Sequence, residues 1–243
     1  MDTLVNQLDS EAMGATVVDI VDFSNTVAFA DFEQALIRQH QPRYVACKVP
    51  LEDLSAIHTL EAHGFRMIET QFRSMLRLRD CVDTSQWPYR YELVQDQADL
   101  EQVLAIAETT FEADRYTIDS DIPAVVAGRR YSAYVQRSFT ADDECVHKLV
   151  NPDSGEIVGF NTYRRQSPRE AMLLLAGVVP RYKSTGLGKL LNDYVLNDLF
   201  AEGVGRVHTH QSARNYAILN LEIGYNGFRV VQAYAVLRKT YTG

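Results

Sequence analysis

One stretch decides the fold: LLLAGVVPRYKSTGLGKLL, residues 173–191. Its apolar run is too short for most helices and is typical of a strand covered on both faces. Pro180 ends this strand, because proline has no N–H to donate to a neighbouring strand. Small residues and two glycines then open an amphipathic segment. The stretch therefore predicts a buried strand, a tight turn and a helix.

The turn before this helix is suited to holding a phosphate group. The first turn of a helix carries unpaired backbone N–H groups and the positive end of the helix dipole. A turn without bulky side chains lets a pyrophosphate lie on these donors, and Lys183 and Lys189 can add charge. A lone helix cap explains such a turn about equally well. The Walker and Rossmann patterns are excluded, because Gly188 is followed by neither a Lys-Ser/Thr pair nor a further spaced glycine.

Strands and helices alternate on both sides of a polar segment, residues 80–88, which is the best candidate for a domain boundary. The elements predicted before it are strands at 16–23, 43–49, 65–69 and 74–79 and helices at 29–40 and 51–63. Those after it are strands at 91–94, 145–150, 157–164, 171–179 and 205–210, two terminal strands, and helices at 99–111, 121–138, 186–202 and from Asn215. The fold class is therefore α/β (α+β).

A short sequence echo links the two parts. Gly64-Phe65-Arg66-Met67-Ile68 matches Gly227-Phe228-Arg229-Val230-Val231, and each follows a helix and precedes a strand containing Leu-Arg. We infer that the N-terminal part is a partial structural copy of the C-terminal part. The alternative is that Gly-Phe is a common helix stop, with glycine in the left-handed conformation.

Composition limits the classes of partner. The net charge of −8, from 32 acidic and 24 basic side chains, disfavours nucleic acid and anionic membranes as partners. Cys47, Cys81 and Cys145 form no CxxC pair and no metal-binding spacing with histidine, so we expect buried thiols and no metal site. The N-terminus lacks signal-peptide features and no apolar run approaches ~20 residues, which predicts a cytoplasmic protein.

Two motifs together resemble the GNAT superfamily of acetyltransferases. Its hallmark is a strand ending in Val-x-Pro, a spacer, and Arg/Gln-x-x-Gly-x-Gly/Ala opening a helix. The matching residues here are Val178-Val179-Pro180 and Lys183-Ser184-Thr185-Gly186-Leu187-Gly188, with lysine at the Arg/Gln position. The segment from Ser212 to Asn215 and the later Gly227-Phe228 are similar to the closing strand, helix and strand of that superfamily.

This resemblance implies a mixed, mostly antiparallel sheet flanked by helices, with residues 1–85 as a partial GNAT-like domain and 86–243 as a complete one. It also implies acetyl-CoA as cosubstrate and a small-molecule amine as acceptor. The backbone of Val178 and Val179 would pair with the pantetheine arm, and Asn215 would contact it. The expected pyrophosphate ligands are Lys183 and the amides of Ser184, Thr185, Gly186, Leu187, Gly188 and Lys189.

The catalytic groups are less clearly marked. Many members of the superfamily place a tyrosine, the acid that protonates the thiolate, seven residues after the asparagine that matches Asn215, but Glu222 stands there. The spacing to Gly227 is also one residue longer than usual. Tyr225, one helical turn later, and Tyr216 are alternative acids, although Tyr225 also suits a packing role. His208 and His210 share one strand face, where His210 is a candidate base or a structural histidine.

The region before the core looks like that of the TDP-fucosamine acetyltransferases, whose acceptor is a nucleotide-linked amino-deoxysugar. The residues concerned are Thr110 to Tyr116, Asp119 to Asp121 and Arg129 to Val135. These segments contain Arg115, Arg129 and Arg130. Their guanidinium groups would bind the diphosphate of such a substrate, or they would form a solvated helix face. The alternatives are another amine (an antibiotic, a polyamine or a protein N-terminus) and a noncatalytic acyl-CoA sensor. The sequence leaves the acyl chain length and the oligomeric state open, a homodimer included.

Overall fold

The computed structural model describes residues 1–23, 29–111 and 115–241. The strands are β1 Asp2–Val5, β2 Val17–Asp22, β3 Tyr44–Pro50, β4 Arg66–Arg77, β5 Arg90–Leu93, β6 Glu144–Val150, β7 Ile157–Ser167, β8 Glu170–Val178, β9 Arg206–Ser212 and β10 Arg229–Thr240. The helices are α1 Gln7–Met13, α2 Phe29–His40, α3 Leu54–Ala62, α4 Gln97–Thr110, α5 Arg115–Ile118, α6 Ala124–Thr140, α7 Leu187–Ala201 and α8 Tyr216–Leu219. A 3-10 turn, Pro180–Tyr182, precedes α7, and a π-helix, Asn220–Tyr225, follows α8.

The ten strands form a single sheet in the order β1-β2-β3-β10-β4-β9-β8-β7-β6-β5. Two neighbouring pairs, β2 with β3 and β8 with β9, are parallel. The remaining neighbours are antiparallel. The prediction of a mixed, mostly antiparallel sheet flanked by helices is confirmed.

The centre of this sheet is built from one strand of each sequence half. β10 lies between β3 and β4, while β4 lies between β10 and β9. On one side of the central pair, β4 is antiparallel to β9, and β9 is parallel to β8. On the other side, β10 is antiparallel to β3, and β3 is parallel to β2. The Gly-Phe echo opens the two central strands. This symmetry supports the interpretation as a partial copy, whereas the division near residue 85 stays a prediction.

The sequence prediction was wrong about the number of strands after each Gly-Phe. Residues 65–69 and 74–79 belong to one continuous strand, β4, and the two expected terminal strands are the single strand β10. Neither strand contains Gly, Pro, Asn or Asp, the residues that tight hairpin turns require. Each segment therefore continues as one strand, and two register shifts between β4 and β10 accommodate the curvature of these long strands. β1, α1 and α5 were not predicted.

Helices cover both faces of the sheet. The stripe of fully buried apolar residues on α7, including Leu187, Leu190 and Leu191, packs on one face, together with α2 and α3 further along. Helices α4 and α6 pack on the opposite face. The β8 side chains reach both layers, since Leu173 packs with the α7 cluster and Leu175 with the α4/α6 cluster. The site described below lies where β8 and β9 meet these two layers.

The cysteines differ in their exposure. Cys47 is buried and Cys145 is half-buried, but Cys81 is exposed in the segment between β4 and β5, which corrects the expectation that all three are buried. Exposure follows from the polar, irregular segment around Cys81, which has no apolar face to bury. No helix in the described ranges combines the length and the apolarity needed to cross a bilayer.

Candidate functional site

A gap opens between the parallel strands β8 and β9. Their pairing runs from Glu170 with Arg206 to Leu173 with Thr209 and ends there, although β8 continues to Val178. The amide of Val179 donates to Val158 in β7 at 2.9 Å. Because successive residues of a strand direct their N–H and C=O groups to alternate sides, the N–H and C=O groups of Val178 face the β9 side. The gap can therefore pair with an extended ligand.

The structure separates the two valines predicted to pair with pantetheine. Both backbone groups of Val179 have partners inside the protein, because its carbonyl also accepts from the Tyr182 amide at 2.8 Å. Val178 is therefore the residue whose backbone faces the β8/β9 gap.

The N-terminus of α7 lies at the end of β8 and points backbone donors outward. The first intrahelical bond runs from the Leu190 amide to the Gly186 carbonyl, at 3.0 Å. The amides of Leu187, Gly188 and Lys189 precede it and so lack an acceptor within the helix. Together with the helix dipole, they form a site for an anion.

Two features keep this helix terminus accessible. Gly186 has φ +92°, a conformation that favours glycine and turns the chain tightly into the helix. A Cβ placed on Gly188 would meet no atom within 4 Å, so the approach to the amides is open. The Thr185 amide and hydroxyl both bond to the Tyr182 carbonyl, at 3.3 and 2.7 Å, which fixes the turn.

Tyr225 lies beside the first turns of α7. Its hydroxyl donates to Asp193 Oδ2 at 3.3 Å, and Lys189 Nζ lies 4.0 Å from its ring centroid. Lys189 also bonds to Asp193 at 3.0 Å, and its hydrogen bonds to Tyr225 and Asp193 raise its pKa. The Tyr225 side chain remains half-exposed.

Glu222 faces a different environment. It is buried, and Gln211 Nε2 donates a short hydrogen bond to its carboxylate. Ser74 Oγ donates in turn to Gln211 Oε1 at 2.7 Å, so three buried polar groups form a chain. Burial raises the pKa of Glu222 to about 7, against the opposing effect of the Gln211 hydrogen bond. Because Gln211 lies two residues beyond Thr209, the last β9 residue that pairs with β8, this carboxyl lies on the β9 side of the β8/β9 gap.

The sequence places Tyr225 one helical turn after Glu222, which would direct both to one face if the α-helix continued, but α8 ends at Leu219. These residues belong to a π-helix, whose i→i+5 bonds make each turn wider than an α-turn. A residue three positions later is therefore rotated away from its predicted direction. The π-helix also absorbs the extra residue before Gly227.

His210 lies on the opposite face of β9, among groups from the N-terminal half. Its Nδ1 is 2.7 Å from Lys48 Nζ, and its ring stacks on Tyr234 with centroids 6.3 Å apart. Burial, together with the charges of Lys48 and Arg73, lowers the pKa of His210 to about 4. The imidazole is therefore neutral at pH 7.

His208 is also buried, and burial followed by the charge of Arg73 lowers its pKa. Its Nε2 lies 3.7 Å from Glu170 Oε2, while its Nδ1 has no hydrogen-bond partner among residues 1–23, 29–111 and 115–241. Both predicted histidines thus lie close to Arg73. His210 is the one that follows the end of the β8/β9 pairing.

The comparisons with known proteins agree with this geometry. Residues 102–221, just under half of the chain, match the sequence model of the acetyltransferase (GNAT) family. A GCN5-related N-acetyltransferase from Sphaerobacter thermophilus superposes with a TM-score of 0.71 at 16% identity, covering 98% of this chain and 75% of that one. The protein has the GNAT fold.

Two further GNAT structures are similar. A tandem GNAT protein from the clavulanic acid biosynthesis pathway gives a TM-score of 0.59 at 15% identity, over 87% of this chain and 68% of that one. A glucosamine N-acetyltransferase region of a fungal multi-domain β-N-acetylglucosaminidase gives 0.68 at 11% identity, over 98% of this chain and 31% of that one. A search among curated proteins finds no match.

Asn215 and the arginines take structural contacts in this GNAT fold. Asn215 caps α8 by accepting from the Ile218 amide at 3.2 Å. Arg130 Nε donates to the buried Asp9 at 2.6 Å, and the guanidinium lies 3.6 Å from the ring centroid of Tyr116. Arg130 thus serves an internal ion pair, whereas the neighbouring Arg129 is exposed. Of the predicted segment from Thr110 to Tyr116, residues 112–114 lie outside the described residues.

Sequence reasoning missed the contribution of the N-terminal half to the site. Lys48 from β3, Arg73 from β4 and Tyr234 from β10 all surround His210. No local motif marks these residues. They come close to β9 only because β10 pairs between β3 and β4, and β4 pairs between β10 and β9. Within the described ranges, no group of three or more His, Cys, Asp or Glu side chains could hold a metal ion.

Proposed function

We propose that this protein transfers an acetyl group from acetyl-CoA to a primary amine. The observation that carries this proposal is the set of outward-pointing amides, Leu187 to Lys189, at the mouth of the β8/β9 gap. A pyrophosphate on these amides would direct a linear arm along Val178 and into the gap. The phosphates would be flanked by the turn residues Lys183, Ser184 and Thr185. Asn215 would contact the pantetheine arm from the end of β9.

Acetyl-CoA supplies an acetyl group activated as a thioester. The amine nitrogen forms a bond to the acetyl carbon, the carbon–sulfur bond breaks, and the sulfur leaves with the electron pair. We assign the proton for that sulfur to Glu222, whose raised pKa keeps a fraction of the carboxyl protonated at neutral pH. We assign acceptance of the amine proton to His210, which is neutral and lies on the face of β9 opposite to Glu222.

Tyr225 is the weaker candidate for the acid. Its hydroxyl bonds to Asp193 on α7, next to the proposed pyrophosphate site, and its side chain is half-exposed. Replacing Tyr225 with phenylalanine should therefore leave kcat within about threefold of wild type. Replacing Glu222 with glutamine should reduce kcat by about 10²-fold, the scale of a lost general acid.

For the acceptor, we propose a small amine, with a nucleotide-linked amino-deoxysugar as the finer proposal. The resemblance of the segment before the core supports it, as does the similarity to a glucosamine N-acetyltransferase region. The use of Arg130 in an internal ion pair weighs against a diphosphate grip at that residue.

A second candidate function is noncatalytic acyl-CoA sensing, favoured by the absence of tyrosine at position 222. Measuring CoA release with a panel of amino sugars, nucleotide amino sugars, polyamines, aminoglycosides and peptides separates the two. Acetylation of at least one amine, lost in Glu222→Gln, supports the enzyme. Tight acetyl-CoA binding without turnover across the panel from pH 6 to 9 supports the sensor, and activity confined to peptides contradicts the sugar acceptor.

A further inference from the structure

A cavity opens between β2 and β3, the symmetry counterparts of β8 and β9. The parallel pairing of these strands ends at Ile20 with Cys47, and the space beyond it measures about 380 Å³. This volume falls at the lower end of the range for small-molecule sites, about 300–1,000 Å³. The residues that line the β2/β3 pocket are Asp19, Ile20, Val21, Ala46, Cys47, Lys48, Arg115 and Tyr234.

Two of the three charged side chains that line the β2/β3 pocket, Lys48 and Arg115, are cations, and the third is Asp19. Burial, followed by the charge of Arg115 and the weaker effect of Arg73, lowers the pKa of the half-buried Lys48 to about 8. Glu69 acts in the opposite direction but more weakly than Arg115. A cation held in this way gains from a bound anion, because the anion offsets the repulsion.

Among the described residues, the two acids near Arg115, Asp9 and Asp19, also have other partners. Asp9 accepts from Arg130 at 2.6 Å and lies 3.8 Å from Arg115, so one carboxylate serves two guanidinium groups. Asp19 accepts from Asn6 Nδ2 at 2.8 Å, and burial raises its pKa against the opposing effect of the Arg115 charge. Arg115 lines the β2/β3 pocket with 18% of its side chain exposed, so an anion in the pocket can approach the guanidinium group.

The pocket leads directly to the proposed base. Lys48 lines the β2/β3 pocket and lies 2.7 Å from the His210 ring, with Tyr234 beside both groups. A ligand with an anionic group at Lys48 could thus extend along Tyr234 and place a second group next to His210. Its far end would reach the β8/β9 gap.

We propose that the β2/β3 pocket binds a carboxylate or phosphate group of the acceptor amine, with Lys48 and Arg115 as its cationic partners. This inference rests on the proposed acetyl transfer and names the substrate class for it, an amine that carries an anionic group. Lys48 and Arg115 are then specificity-determining residues supplied by the N-terminal half. The copied half of the fold serves to select the acceptor.

Binding of the anion also has a consequence for His210. The positive charge of Lys48 contributes to the lowered pKa of His210, and a bound anion compensates that charge. The acidic limb of the kcat profile, which reports the enzyme–substrate complex, should therefore lie at higher pH with an anionic amine than with a neutral amine. A pocket with a purely structural role would not produce this difference.

The test uses amine pairs that differ only in the anionic group: glucosamine against glucosamine 6-phosphate, and β-alaninamide against β-alanine. We expect kcat/KM to be at least tenfold higher for the anionic member of one pair, which also distinguishes phosphate from carboxylate. Lys48→Met should remove this preference, so that the two members of the pair react with equal kcat/KM. Arg169→Met, an exposed control with the same charge change, should preserve it. Equal rates within both pairs, or a preference that survives Lys48→Met, overturn the inference.

A binding experiment tests the pocket independently of turnover. Inorganic phosphate and acetate should each be titrated into the full chain, with the midpoint of thermal unfolding as readout. At least one anion should raise the midpoint of wild type and of Arg169→Met, and should raise that of Lys48→Met less. Equal shifts in all three proteins contradict the pocket even if acetyl transfer occurs. A selective shift without acetylation of any amine contradicts the proposed function but supports the pocket.

Discussion

Replacing Glu222 with glutamine probes the buried carboxyl beside the β8/β9 gap while keeping an acceptor for Gln211. Burial moves the pKa of Glu222 from its ordinary value of 4.5 to about 7. Each pKa unit corresponds to ~1.4 kcal/mol, so the difference amounts to about 3 kcal/mol. The folded state prefers the protonated carboxyl, because water no longer solvates the charge.

The sign of the pH effect follows from this preference. The stability from the protonated carboxyl is present in full below the unfolded pKa of 4.5, and it is lost once the pH has risen through about 7. Glutamine at position 222 does not titrate. Wild type should therefore lose about 3 kcal/mol relative to Glu222→Gln between pH 4.5 and pH 8.

Urea unfolding at these two pH values measures the difference directly. Glu61→Gln is a matched control, because Glu61 is exposed on α3. Its stability difference from wild type should change by less than 0.5 kcal/mol, a typical surface value. Parallel pH–stability curves for wild type and Glu222→Gln would refute the reasoning about this buried carboxyl.

Three further predictions concern the packing that positions the site. Gly128→Ala should destabilise the protein by about 1–3 kcal/mol in urea unfolding, since the new Cβ would meet the Glu108 carbonyl oxygen of α4 at 2.8 Å; an unchanged midpoint contradicts this contact. Asp9→Asn should cost about 3–5 kcal/mol, because it removes the buried carboxylate partner of the half-buried Arg130, and a cost under 1 kcal/mol would argue against the ion pair. Leu199→Ala empties a fully buried position on α7 and should cost about 2–5 kcal/mol by the same assay, with the exposed Val231→Ala as control.

The local features of the site could be read from the sequence. The apolar strand, Pro180 and the glycine turn all act through residues close in the chain, and the structure has them as β8, the 3-10 turn and the start of α7. The extra residue before Gly227 was also visible as a spacing anomaly. Its outcome, a π-helix that directs Glu222 and Tyr225 to different neighbours, depends on packing against β9 and α7 and has no local signature.

The long-range features could not be read in this way. The central pairing of β4 with β10 joins residues more than 150 positions apart, such as Arg66 with Arg238. Hydrophobic alternation is the same whether a strand pairs with a sequence neighbour or a distant one. The positions of Lys48 and Arg73 around His210 follow only from that central pairing of β4 with β10. The N-terminal half therefore contributes residues to the site that no sequence motif predicts.

The central claim is that the N-terminus of α7 binds the pyrophosphate of acetyl-CoA, and Trp87 allows a direct measurement. It is the single tryptophan of the chain and lies beside the glycine turn, 3.8 Å from a Cβ placed on Gly186. Titration of acetyl-CoA against Trp87 fluorescence should give saturable binding for wild type. Gly188→Val should weaken it at least tenfold with unfolding unchanged, and Gly205→Val, another open glycine far from this turn, should not. Equal affinity in wild type and Gly188→Val would contradict the account.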